Sequence, residues 1–149
     1  CMIGSGNSYY EQRLRQIAQQ YPDRVMVYIG YNEQLAHRLE AGVDMFLMPS
    51  RFEPCGLNQM YSLNYGTPPI VYFTGGLADT VTNATPSTLA SKQATGFVFY
   101  ELVWGTLLAT MRHACELYHQ PEVWKNIQQT GMQQDFSWEH SAARYLALY

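Results

Sequence analysis

The sequence predicts an α/β chain, Rossmann-like, with three layers built around a parallel sheet. Three observations carry that expectation. Short apolar or β-rich runs alternate with stretches of helical spacing, the alternation repeats along the first half of the chain, and glycine turns follow the runs. Strand-helix-strand order implies right-handed crossovers and parallel pairing, because a connection that returns to the same edge must cross a face of the sheet.

The elements follow in order. Cys1-Met2-Ile3-Gly4 reads as the end of a buried strand that runs into the turn Gly4-Ser5-Gly6-Asn7. This opening, with no Met before it, is expected to lie inside a domain whose early strand and helix come upstream. Leu14, Ile17 and Ala18 recur at helical spacing until Tyr21-Pro22-Asp23. Arg24 to Ile29 is β-rich, Gly30 ends it, and Glu33 to Ala41 returns to helical spacing before Gly42. Val43 to Met48 is an almost unbroken apolar run, expected as a strand covered on both faces and closed by Pro49.

Beyond a loop to Cys55, Gly56 to Tyr65 forms a helix stopped by Gly66, and Pro69 to Phe73 forms a further buried strand entering Thr74-Gly75-Gly76. Asn83 to Gln93, polar and rich in Thr and Ser, reads as a surface loop before the strand Gly96 to Phe99. Helices close the chain: Leu102 to Tyr118, one opened by Pro121, and one capped by Ser137 that runs through Tyr149.

Composition narrows the function classes. The 149 residues are 47% hydrophobic, enough for one core, and one domain is the default expectation. Net charge is −3, and the nine Lys and Arg are scattered, which argues against a nucleic-acid partner. No stretch approaches the roughly 20 apolar residues of a membrane span, so the reading is soluble, with no membrane partner. Cys1, Cys55 and Cys115 form an odd set without CxxC or Cys/His spacing, so neither a disulfide framework nor a metal site is suggested and a reducing cytoplasm is expected. His37, His113, His119 and His140 show no metal-ligand spacing, and packing or surface roles are expected for them. No cofactor is expected.

In open parallel sheets ligands sit at the carboxyl ends of the strands. The turns to watch therefore follow Ile3, Ile29, Met48 and Phe73. The most informative is Pro49-Ser50-Arg51-Phe52-Glu53-Pro54-Cys55-Gly56-Leu57-Asn58-Gln59. Here a carboxylate stands at a strand end and a glycine at the start of a helix. The N–H groups of Gly56, Leu57 and Asn58, with the positive end of a helix, can hold a phosphate, while Glu53 can accept from sugar hydroxyls. A solvated Glu53 and an ordinary N-cap at Gly56 fit the same residues. Thr74, Gly75 and Gly76 give a second turn where backbone can approach a ligand, and a plain tight turn is the competing reading. Tyr31 can stack on a base or simply pack. The Gly4-Ser5-Gly6 turn lacks the third glycine of a dinucleotide fingerprint.

Together these strings resemble glycogen and starch synthases: Gly30-Tyr31 with Ala36-His37-Arg38, the run from Pro49 to Gln59, Tyr65-Gly66-Thr67, and Thr74-Gly75-Gly76-Leu77-Ala78-Asp79-Thr80-Val81. Gly96-Phe97-Val98-Phe99 and Asp135-Phe136-Ser137-Trp138 match later segments, so the likeness covers nearly the whole chain. The resemblance implies the carboxy-terminal half of a GT-B retaining glucosyltransferase, with residues 1–149 as a partial nucleotide-sugar-binding domain ending in helices over 121–149. It implies an ADP-glucose donor, an α-1,4-glucan acceptor, and an amino-terminal GT-B domain as partner.

By the same analogy, Glu53 is the catalytic-site residue that binds the glucose hydroxyls. Cys55, Gly56 and Leu57, with Asn58, engage glucose and diphosphate. Tyr31 stacks on the base, and Thr74 to Gly76 line the pocket. The family's Arg and Lys that meet the leaving diphosphate lie upstream of Cys1 in this comparison, and its Lys-containing glycine loop belongs to the first domain. Two departures stand out. Tyr72-Phe73 occupies the place where many relatives have Arg or His, and Tyr61, eight residues after Glu53, replaces the second glutamate of the wider superfamily. Readings kept beside this one are a UDP-glucose-using transferase and a non-catalytic nucleotide-sugar module.

A sheet that lacks its early strand leaves an apolar edge open. Self-association that rises with concentration is therefore expected in sedimentation, and a monodisperse monomer contradicts it.

Overall fold

The computed structural model describes residues 1–148, the side chain of Arg144 excepted; the helix expected to run through Tyr149 ends at Leu146, with Ala147 and Leu148 in a turn, and Tyr149 falls outside the described residues. Two compact units emerge, one over Cys1–Gly42 and one from Val43 onward. In place of one continuous sheet, the strands form two parallel sheets, each flanked by helices.

In the first unit, β1 (Met2–Gly4) pairs in parallel with β2 (Val27–Ile29), Ile3 opposite Tyr28, and α1 (Ser8–Gln20) makes the crossover. Asn7 starts α1 by accepting from the Tyr9 N–H at 2.9 Å, which satisfies one of the helix's orphan donors. Strand β2 is shorter than the β-rich run, since Arg24 and Val25 are tied back to the Tyr21 carbonyl in a turn. Helix α2 (Glu33–Gly42) follows, opened by the Asn32 side chain accepting from the Leu35 N–H.

The second unit has strand order β3-β4-β5, all parallel: β3 (Phe46–Met48), β4 (Pro69–Tyr72) and β5 (Phe97–Phe99). Expected cover on both faces of the β3 run is not what the structure shows. Only Phe46–Met48 is strand, and Leu47, on the opposite face from the half-buried Phe46 and Met48, is 41% exposed in this edge strand. The central β4 is buried at Pro69, Ile70 and Val71.

Helix α3 (Asn58–Asn64) lies between β3 and β4, and α4 (Gly75–Thr80) follows β4. The predicted loop over 83–93 contains α5 (Pro86–Ala90). Its signal was present in the sequence: Thr85 and Thr88 form a reciprocal capping box and Pro86 sits in the first turn, local chemistry that outweighs a polar composition. Helices α6 (Trp104–Tyr118), α7 (Pro121–Met132) and α8 (Trp138–Leu146) complete the chain, with Ser137 accepting from the His140 N–H as the cap of α8.

One core cluster gathers Ile70, Ala84, Ala94, Phe97, Ala114, Leu117, Trp124 and Ile127 under α6 and α7. The other joins Val71, Leu77, Val81 and Val98, with Met48 packed against it, beneath α4. Phe97, fully buried, stacks on Trp124 with centroids 5.9 Å apart and meets the His113 ring edge-on at 5.9 Å. His113 also places a ring nitrogen 3.1 Å from the Ala84 carbonyl, the packing role expected of it. Among the described residues no helix is long and apolar enough to cross a membrane.

Phe97 is thus the residue on which the sheet and both long helices converge. Phe97→Ala is expected to cost about 3–5 kcal/mol of stability, as removal of a buried aromatic does, measured by denaturant unfolding of the purified chain.

Candidate functional site

Strands β3 and β4 are neighbours, with Met48 in register with Val71, so their carboxyl ends deliver two segments side by side. From β3 comes the loop carrying Glu53 to Leu57, and from β4 comes Thr74 leading into α4. The structure brings together Glu53, Cys55, Gly56, Leu57, Asn58, Thr74, Gly75 and Gly76 within the second unit. Tyr31 belongs to the first unit, where it follows Gly30 (φ +147°) and is 86% exposed.

The contact between the two segments is main chain on main chain. The Gly76 N–H donates to the Glu53 carbonyl at 3.0 Å. A Cβ at Gly76 would stand 1.9 Å from the Cys55 carbonyl oxygen, and one at Gly75, whose φ is +42°, would stand 2.1 Å from the Glu53 oxygen. Neither distance admits a side chain. The sequence suggested that these glycines leave room for a ligand; what they demonstrably leave room for is the Glu53–Cys55 backbone. They also open α4 rather than forming a free turn, and Thr74 precedes that helix without a side-chain cap.

Gln59 secures the loop from behind. It is fully buried, and its amide nitrogen lies 3.0 Å from the Cys55 carbonyl, 2.9 Å from the Gly56 carbonyl and 3.2 Å from the Thr80 hydroxyl. Carbonyls only accept, so the nitrogen must be the atom that faces them. The Thr80 hydroxyl in turn donates to the Gly76 carbonyl at 2.6 Å. With the Gly76 N–H on the Glu53 carbonyl, a closed circuit links the Glu53 to Gly56 loop, Gln59, Thr80 and Gly76. The Gln59 Oε1, by contrast, is buried without a partner, at a cost on the order of 1–3 kcal/mol. Gln59 ends the distinctive string Pro49 to Gln59, but nothing in the sequence marks the bonds its side chain makes.

Around this frame the side chains vary in exposure. Glu53 is half-buried, while Phe52, Cys55, Leu57 and Asn58 are exposed. Cys55 is a free thiol whose engaged atom is its carbonyl oxygen. Helix α3 has seven residues, too few for a large dipole, so any anion here would rest on individual N–H groups. Its rear is fixed by Gly66 (φ +74°), whose carbonyl accepts from the Gln128 amide at 2.8 Å, and by Leu63 beside Gly131. Phe73, at the end of β4, meets the Tyr100 ring at 5.1 Å, and both are exposed. Among the described residues no group of His, Cys, Asp or Glu could hold a metal ion.

The sequence profile described as "Glycosyl transferases group 1" matches residues 1–129, and the chain belongs to that family. Within it, the chain is similar to glycogen synthases. The chain is 59% identical over 148 residues to the glycogen synthase of Hydrogenovibrio crunogenus, and 53% to that of Nitrosomonas eutropha, in each case across 99% of this chain and 30% of the relative. It thus spans about 30% of the length of the curated relatives it matches. Among solved structures, the catalytic domain of Starch Synthase IV from Arabidopsis thaliana, bound to ADP and acarbose, superposes with a TM-score of 0.83 at 34% identity, over 98% of this chain and 30% of that one. Sucrose-phosphate synthase from Thermosynechococcus elongatus shares the fold at a TM-score of 0.66 and 22% identity, over 99% of this chain and 37% of that one. The fold is that of GT-B glycosyltransferases.

Gly76→Ala is expected to destabilise the chain by about 3 kcal/mol, because the Glu53–Cys55 backbone must move. Gly105→Ala, in α6 with open space around its Cβ, is expected to add up to about 1 kcal/mol by helix propensity. Chemical denaturation of the two variants in parallel reads both effects.

Proposed function

We propose that this chain supplies the sugar-nucleotide half-site of a retaining glucosyltransferase, a glycogen or starch synthase acting in the cytoplasm. In that reaction glucose passes from ADP-glucose to the non-reducing end of an α-1,4-glucan. The observation that carries the reading is the frame at the ends of β3 and β4. That frame carries the half-buried residue Glu53 on the same loop as Gly56 and Leu57, whose N–H groups have no backbone acceptor among the described residues, in a chain 59% identical to a glycogen synthase.

Each residue has a task in this reading. Glu53 accepts from the glucose hydroxyls and fixes the ring against the acceptor. The N–H groups of Gly56 and Leu57, with Asn58, meet glucose and diphosphate, and their fixed dipoles lie where negative charge builds as the nucleotide departs, so little reorganisation is needed at the transition state. Cys55 contributes through its backbone, Thr74 to Gly76 line the pocket, and Tyr31 stacks on the base. Full charge compensation and the acceptor groups come from the amino-terminal GT-B domain, so the chain alone binds donor without turning it over. A UDP-glucose donor is the second reading, kept because Tyr72-Phe73 stands where many similar synthases have Arg or His and so alters the electrostatics near the donor.

Calorimetric titration with ADP-glucose and UDP-glucose decides between them. Saturable binding that prefers ADP-glucose and weakens at least about tenfold in Glu53→Ala, the loss of more than one hydrogen bond to a charged group, is expected. Preference for UDP-glucose transfers the assignment to the second reading, and equal binding by Glu53→Ala removes the carboxylate from the site.

A further inference from the structure

We propose that Gln59 is a positioning residue of the donor site, aiming the Gly56 and Leu57 N–H groups at the ligand and coupling their loop to α4 through Thr80. The inference rests on the donor-site reading above and adds to it a buried residue that never touches the donor.

The geometry begins with the peptide plane. In a trans peptide the carbonyl of one residue and the N–H of the next point in opposite directions. The Cys55 carbonyl belongs to the same plane as the Gly56 N–H, and the Gly56 carbonyl to the same plane as the Leu57 N–H. Gln59 grips both carbonyls with one nitrogen, at 3.0 and 2.9 Å. Holding the two carbonyls inward turns the two N–H groups outward. Among the described residues neither N–H has a backbone acceptor.

A second observation separates this from ordinary packing. Gln59 is fully buried and leaves its Oε1 without a partner, a cost that an apolar side chain of similar length would avoid. The residue is carried for its donor. That donor also reaches the Thr80 hydroxyl at 3.2 Å, which bonds the Gly76 carbonyl at 2.6 Å. Gly76 in turn holds the Glu53 carbonyl by its own N–H. One amide thereby sets the two N–H groups directly and the backbone of the carboxylate through Thr80 and Gly76. A Cβ at Gly56 would stand 2.4 Å from the Gln59 Oε1, so Gly56 is also the residue that lets the amide lie this close.

The test uses the whole chain, labelled with nitrogen-15, and three variants: Gln59→Met, Thr80→Val and Thr80→Ser. Gln59→Met is expected to move the Gly56 and Leu57 amide resonances without ligand, and to weaken ADP-glucose binding about tenfold, as loss of a buried hydrogen-bonding group does. Thr80→Val, which keeps the volume and drops the hydroxyl, should weaken binding about threefold, and Thr80→Ser should restore it. A role in packing alone predicts no such split between Val and Ser. Unmoved Gly56 and Leu57 resonances with unchanged affinity in Gln59→Met overturn the proposal. Should Gln59→Met not fold, equal affinities of Thr80→Val and Thr80→Ser overturn it instead. If the unaltered chain binds no ADP-glucose, the donor reading falls, while the ligand-free resonances still decide whether Gln59 aims the two N–H groups.

Discussion

The candidate site depends on an approach of backbone to backbone that only two glycines permit. The loop from Glu53 to Cys55 lies against Gly75 and Gly76 so closely that a single methyl group at either would overlap a carbonyl oxygen. Without that approach the Gly76 N–H cannot reach the Glu53 carbonyl, and the loop after β3 has nothing to rest on at the side of β4. The parallel register of β3 and β4 brings the two strand ends level, the glycines let the segments touch, and Gln59 closes the contact from within the core.

Beneath the frame the support is layered by type of interaction. The apolar cluster of Val71, Leu77, Val81 and Val98 seats α4. Helix α3 is seated differently. Its buried side chains are Gln59, Ser62 and Leu63, two of three polar, and each polar one holds backbone: the Gln59 nitrogen bonds the Cys55 and Gly56 carbonyls, and the Ser62 hydroxyl the Thr67 carbonyl. Buried polar groups that bond backbone fix the loops at both ends of a short helix in a way that apolar packing, which is non-directional, does not. Seven residues of helix form a poor unit by themselves; tied at both ends, they become a rigid shelf.

The sequence displayed much of this and concealed a definable part. Strand and helix order was legible because apolar runs and helical spacing are local signals, and the site loop was legible because its residue string is long and distinctive. The division into two sheets was not, since no local pattern says which strand pairs with which. Helix α5 was hidden behind the polarity of Thr85 to Thr88, although its capping box is itself a local code. The glycines of the second turn were noticed and their beneficiary was not. A glycine announces that something comes close, and only the fold shows that the visitor is residues 53 to 55 of the same chain. Gln59 was invisible for a related reason, because hydrogen bonds from a buried side chain to a distant hydroxyl leave no mark on periodicity.

The frame has a consequence for anyone who wishes to re-engineer the candidate site. Its shape is stored in carbonyls, N–H groups, two missing side chains and one buried amide, whereas Phe52, Leu57 and Phe73 project from it and are exposed. The backbone frame and the exposed apolar side chains around it are therefore separate sets of residues. A library confined to the projecting positions can explore new chemical preferences on an unaltered scaffold, and one that includes Gly75, Gly76 or Gln59 spends its diversity on the scaffold itself.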